Sequence, residues 1–91
     1  ILMDINRWEN FSKRQQLLMI GAEFMRAKVW QGKSQQNFTL ALERSLELID
    51  LTISDEKWKE DILMPLRLRE EVAKFYVFQR TDDISLLYNA L

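Results

Sequence analysis

The chain has 91 residues, 47% of them hydrophobic and 30% charged, with only two glycines and one proline; it is too apolar for disorder and too poor in turn residues for a many-stranded β fold. Thirteen Lys and Arg against fourteen Asp and Glu leave a net charge of -1, so no global field draws it to nucleic acid or to an anionic membrane. With no cysteine and no histidine, disulfides, thiolate chemistry, Ser-His-Asp sets, H-E-x-x-H zinc sites and the Glu-x-x-His pairs of bundle di-iron centres are all removed.

One domain of this size buries roughly 60 to 65% of the surface its unfolded chain exposes, so modest stability is expected. The longest apolar run, Leu17 to Ala22, falls far short of the roughly 20 residues that span a bilayer, and no charged-then-apolar signal segment opens the chain. The expectation is a cytoplasmic protein with no membrane partner and no cofactor. Ile1 and Leu2 precede Met3, which is read as the natural start, with the domain covering residues 3–91.

Trp8 and Phe11 stand among polar neighbours at the start. Ser12 begins S-x-x-Q, a capping box preceded by a hydrophobic residue, which predicts a first long helix from Lys13 to Gln31, stopped by Gly32. Leu17, Leu18, Ile20, Gly21, Phe24, Met25, Ala27 and Val29 fill a broad arc of it, and Lys28 falls within that arc near the end, where a lysine complements the helix dipole and reaches water. Met19, Glu23, Arg26 and Trp30 share the outer side. The short polar turn Gly32 to Gln36 makes the second helix an antiparallel neighbour, capped by Ser34 and ending near Ile53. Its inward arc holds Phe38, Ala41, Leu42, Ser45, Leu46, Leu48, Ile49, Thr52 and Ile53. Leu40, Arg44, Glu47 and Leu51 lie outside.

The third helix, from Ser54 to Arg80, carries two apolar faces. At about 100° per residue, Trp58, Ile62, Leu66, Val72, Ala73, Tyr76 and Val77 share one arc, the expected core face. Roughly opposite, Met64, Leu68, Glu71, Phe75 and Phe78 follow the spacing of a helix-packing seam. Pro65 predicts either a kink near Ile62 or a break with Pro65 in a new first turn. Thr81, Asp82 and Asp83 cap a short apolar segment, Ile84 to Leu91, that must dock to be helical. The fold class is therefore all-α: an up-and-down antiparallel bundle of three long helices plus a short C-terminal helix.

Left exposed, Met64, Leu68, Phe75 and Phe78 would form a patch on the order of 400 Å² or more, as large as soluble monomers usually show. Either the Ile84 to Leu91 segment covers it, or it is the interface of a homodimer or of a partner helix, joined by Leu40 and Leu51 or by Met19 and Trp30, and the two can coexist. Arg69 sits inside the apolar arc, where a buried guanidinium demands a partner; Glu70, Glu23, Glu43 and Asp50 are the candidates. Arg69 is also a candidate anion-binding residue. Basic residues interleaved with aromatics in the first third, from Arg7 to Lys33, could bind single-stranded nucleic acid, though such patterns more often mark a solvated face. Neighbouring carboxylates such as Glu60-Asp61 and Glu70-Glu71 point about 100° apart and do not converge on one atom.

The run RWENFSKRQQLLMIGAEFMRAKVW, followed by LERSLELIDLTISDEKWK and LRLREEVAKFY, resembles a family of small uncharacterised prokaryotic helical proteins. In general shape it is similar to the HEPN and nucleotidyltransferase-substrate-binding bundles. HEPN ribonucleases pair an Arg with a following His, which this chain lacks, so the resemblance implies an accessory bundle rather than a ribonuclease. The sequence is read as a non-enzymatic protein-protein interaction module. The alternative is a HEPN-like accessory domain that binds nucleic acid or nucleotide through Arg69 and the basic first helix.

Overall fold

The Asp4 carboxylate accepts from the backbone N-H of Arg7 at 2.9 Å and opens a five-residue helix, α1 (Ile5–Glu9), too short for periodicity to announce. The computed structural model describes residues 3–91; Ile1 and Leu2, with the question of the natural start, lie outside the described residues. The capping box at Ser12 is formed in both directions: its hydroxyl accepts from the Gln15 N-H at 3.1 Å, and the Gln15 side chain accepts from the Ser12 N-H at 2.9 Å. It starts α2 (Lys13–Trp30). The Trp30 carbonyl then accepts from the Lys33 N-H at 2.8 Å across a tight turn in which Gly32 has φ 79°, so the helix ends one residue before the expected Gln31. Ser34 caps α3 (Gln35–Ser54).

Between α3 and the next α-helix the chain breaks. Asp55 is extended, Glu56–Asp61 is a 3-10 helix, and α4 (Leu63–Tyr76) begins only after Ile62. Pro65 lies in the first turn of α4, where its missing N-H and fixed φ cost nothing, so the second of the two expected outcomes holds. At the other end the Gln79 N-H donates to the Lys74 carbonyl at 2.9 Å and the Phe78 N-H to Phe75 at 3.3 Å, a Schellman stop. The final apolar segment is a 3-10 helix, Ile84–Ala90, capped by Asp83.

The described residues contain no strand, and the three long helices pack α2 on α3 and α3 on α4 as an all-α bundle. Ile20, Phe24 and Ala27 of α2 meet Phe38, Ala41, Leu42 and Ile49 of α3 and Leu68, Val72 and Phe75 of α4, while Trp8, Ile84 and Leu87 complete the core. No helix among the described residues is long and apolar enough to cross a membrane.

The C-terminal 3-10 segment lies mainly along α2 and touches α4 less. Close approach is possible because residue 21 is glycine: a Cβ there would stand 2.9 Å from atoms of the Tyr88 and Leu91 side chains. Gln31 holds the start of the segment, donating to the Asp82 carbonyl at 2.7 Å and accepting from the Ile84 N-H at 2.9 Å. Lys28 adds an ion pair to Asp83 at 2.6 Å. Asp83 is held down to about 2, first by the hydrogen bond from Lys28 and then by the N-H and hydroxyl of Ser85. A carboxyl depressed in the folded state contributes docking stability above its ordinary pKa near 4, and that contribution disappears as pH falls through about 2. Amide exchange at Ser85 to Leu87 is expected to speed up across that window in the intact chain. In Asp83→Asn the same amides should exchange faster already at neutral pH and show no step.

Candidate interaction surface

The exposed surface is decided by how the two-faced helices spend their apolar residues. On α4, Leu68 and Phe75 are buried with Val72, whereas Leu66, Tyr76 and Val77 are exposed and Ala73 is half-buried. The inward face of α4 is therefore rotated from the expected arc: Val72 stays buried, Leu66, Tyr76 and Val77 turn outward, and Leu68 and Phe75 of the expected seam turn inward. The physical cause is the break at Ile62: Trp58 sits on a separate 3-10 turn, so a wheel anchored on Trp58 and carried through Pro65 has the wrong phase for α4. Leu68 and Phe75 cannot form an external seam, because α3 and Leu87 already cover them. Met64 is half-buried beside Leu87, and Phe78 alone of the expected seam is fully outside, 62% exposed. Leu40 is exposed on α3, separated along its outer side by Arg44 and Glu47 from the half-buried Leu51.

Phe78 is unusual in its backbone as well. It holds φ 62°, the left-handed conformation at the Schellman position where glycine is the usual residue. Phe78→Gly is expected to raise the chain's stability by about 1 kcal/mol, measured by urea denaturation. A loss of stability instead would mean that the Phe78 ring packs within the chain.

Arg69 is not buried. It reaches from α4 to α3, where its Nε donates to Asp50 at 2.6 Å, with both side chains about half exposed. The demanded partner exists and is one of the four candidates, but the arginine sits outside the core because α4 is rotated. The hydrogen bond and charge of Asp50 raise the Arg69 pKa further. An exposed pair of this kind is worth about 0 to 1 kcal/mol, so Arg69→Met should shift the urea midpoint little. A loss above about 2 kcal/mol would contradict the exposed geometry.

Three of the six other basic side chains proposed for phosphate contact are engaged within the chain. Lys13 pairs with Asp61 at 2.7 Å, Arg26 with Glu23 at 2.8 Å and Lys28 with Asp83. A cleft of about 300 Å³ between α1, α2 and α3 is lined by Met3, Met19, Leu48 and Leu51 with Arg7, Glu23, Arg44 and Glu47. Among the described residues no group of three or more acidic side chains is placed to hold a metal ion.

The most consequential polar group is one the sequence reading passed over. Gln16 lies on the buried face of α2, four residues before Ile20 and eight before Phe24. Its amide donates to the Trp8 carbonyl at 2.9 Å and to Asp55 at 2.8 Å, and its oxygen accepts from the Trp58 indole at 2.6 Å. The Trp8 indole donates to Thr52 at 3.1 Å. Burial alone would raise the Asp55 carboxyl, but hydrogen bonds from Lys57 and Gln16 outweigh it and leave the group below its ordinary value. The spacing of 4 from Ile20 was the available signal: a glutamine in phase with core residues must be hydrogen-bonded.

What remains outside is clearest on α2. Leu18 is 52% exposed, Met25 45% and Val29 54%, with exposed Ala22 between them. Their spacing of 4, 3 and 4 places them within about 60° of arc, opposite the buried Ile20, Phe24 and Ala27. No charge interrupts this stripe, whereas Arg69 and Glu70 cut across the exposed apolar residues of α4. Tyr88 of the C-terminal segment, also partly exposed, lies beside Leu18 and extends the stripe sideways. Compared with known proteins, the chain matches no family model, no curated protein and no solved structure.

Proposed function

We propose that the protein is a non-enzymatic, cytoplasmic interaction module that docks an amphipathic helix of a protein partner on the outer face of α2. The observation that carries this reading is the uninterrupted exposed stripe Leu18, Ala22, Met25 and Val29 on a rigid helix of eighteen residues. Four apolar positions at 4-3-4 spacing are what a helix-in-groove or coiled-coil contact requires. Together with Tyr88 they make a patch on the order of 400 Å², at the size that marks an interaction site on a soluble protein. Phe78, Leu40 and the exposed residues of α4 are smaller or charge-interrupted surfaces and are secondary.

A photoreactive benzoylphenylalanine in place of Met25, irradiated in extract of the producing cells, is expected to give discrete protein adducts identifiable by mass spectrometry. The same group in place of the exposed Gln36 should not give them, and adding Leu18→Glu should abolish them. Equal adduct patterns at both positions would overturn the reading.

The competing reading, a HEPN-like accessory domain binding nucleic acid or nucleotide through Arg69 and the basic residues of α2, has less behind it, since Arg69, Lys13, Arg26 and Lys28 are engaged in ion pairs. Salt separates the two. An apolar helix contact persists at raised ionic strength, while phosphate binding weakens steeply.

A further inference from the structure

We propose that the cleft between α1, α2 and α3 binds a free α-amino acid with an apolar side chain. This goes beyond the interaction reading, and the cleft shares no residue with the stripe Leu18, Ala22, Met25 and Val29, so the two stand or fall separately.

Each wall of the cleft offers an apolar and a charged side chain four residues apart, a spacing that sets both on one side of a helix. Met3 and Arg7 come from the entry to α1 and from α1 itself, Met19 and Glu23 from α2, and Arg44 with Leu48 from α3, where Glu47 and Leu51 repeat the spacing. Met3, Met19, Leu48 and Leu51 are all half-buried, and they supply the surface on which an apolar side chain would rest. At about 300 Å³ the cleft lies at the lower end of ligand sites, a size suited to a single amino acid.

Glu23 defines one end of the ligand. Its Oε2 accepts from Arg26 at 2.8 Å, which fixes the carboxylate, while Oε1 is buried and accepts from no donor among the described residues. A buried carboxylate oxygen left unsatisfied is costly, and an ammonium group would meet that demand with a charge-assisted hydrogen bond.

The other two walls define the opposite end. Arg7 and Arg44 are exposed at the cleft, and neither makes an ion pair among the described residues. Guanidinium groups in that state suit a carboxylate. With Glu23 and Glu47 against Arg7 and Arg44, the charges of the lining cancel. A simple alkylamine would therefore meet two cations and a simple fatty acid two carboxylates, whereas a zwitterion finds a counter-charge for each of its ends.

The chain's four methionines make the test local: Met3 and Met19 line the cleft, while Met25 and Met64 do not. In a chain labelled with 13C at the methionine methyls, L-leucine or L-phenylalanine is expected to shift Met3 and Met19 saturably, with dissociation at about 1 mM or below, and to leave Met25 and Met64 in place. Isoamylamine, which lacks the carboxylate of leucine, and 4-methylpentanoate, which lacks its ammonium, should each bind about tenfold more weakly or worse. Glu23→Gln should weaken leucine by a similar factor, and Glu47→Gln, at the exposed rim, by less than about twofold. The analogue comparison uses the intact chain, so it decides the matter even if Glu23→Gln fails to fold. Either analogue binding as tightly as leucine overturns the proposal. So does a response of all four methionines together, or no saturable shift at Met3 and Met19 with either amino acid up to ~10 mM.

Discussion

Gln16→Leu is expected to cost about 3 kcal/mol or more of folding stability, although leucine nearly matches glutamine in volume and helix propensity. Three groups lose a hydrogen bond at once: the Trp58 indole N-H is left with no partner, Asp55 Oδ2 keeps only the Lys57 ammonium, and the Trp8 carbonyl keeps the Phe11 N-H. The unpaired indole costs about 1 to 3 kcal/mol, and the two further hydrogen bonds lost cost about 1 kcal/mol each, Asp55 retaining its bonds to Lys57. A small domain holds about 5 to 15 kcal/mol in total, so the variant should be near its unfolding threshold at physiological temperature. Urea denaturation followed by tryptophan fluorescence reads this directly, since Trp8 and Trp58 both bind Gln16. A cost below about 1 kcal/mol would mean that water replaces the amide and that the network does not tie α1 and the 3-10 turn to α2.

Phe75→Ala should cost about 3 to 5 kcal/mol, the usual range for emptying a buried phenylalanine site. The ring is fully enclosed by α3, α4 and the C-terminal segment, and Arg80 lies over it at 4.7 Å while pairing with Glu71 and Asp82. Leu66→Ala, half a turn away in phase and exposed, should change stability by less than about 1 kcal/mol. The contrast tests the orientation of α4. Similar costs at both positions would restore the arrangement in which Leu66 faces the core.

These two variants mark where sequence reasoning succeeded and where it stopped. That α4 has two apolar faces was readable from its periodicity, but which face turns inward was not. The phase of a helix can be carried along the chain only while the helix is continuous, and Pro65 with the 3-10 turn before it interrupts the count. Arg69 illustrates the consequence. Its partner Asp50 was among the carboxylates considered, but the pair is exposed because the helix that carries it is rotated.

The stops and starts of the helices were legible because they depend on local chemistry: Ser12 with Gln15, Gly32, Ser34 and Asp83 act within a few residues of themselves. The broad apolar arc on α2 was legible too. Its division into a buried half and an exposed stripe was not, because that depends on which neighbours arrive. Its main neighbours are α3 and the C-terminal segment, the latter through the gap at Gly21, and Leu18, Met25 and Val29 are left outside.

What the sequence determined by itself was the all-α class, the helix caps, the loss of thiolate and imidazole chemistry and the surplus of apolar faces. The tertiary structure decided which of those faces are spent internally. Burial is a property of pairs of elements, set by how many helices are present to cover one another, and a chain with three long helices and one short docking segment has more apolar faces than neighbours to cover them.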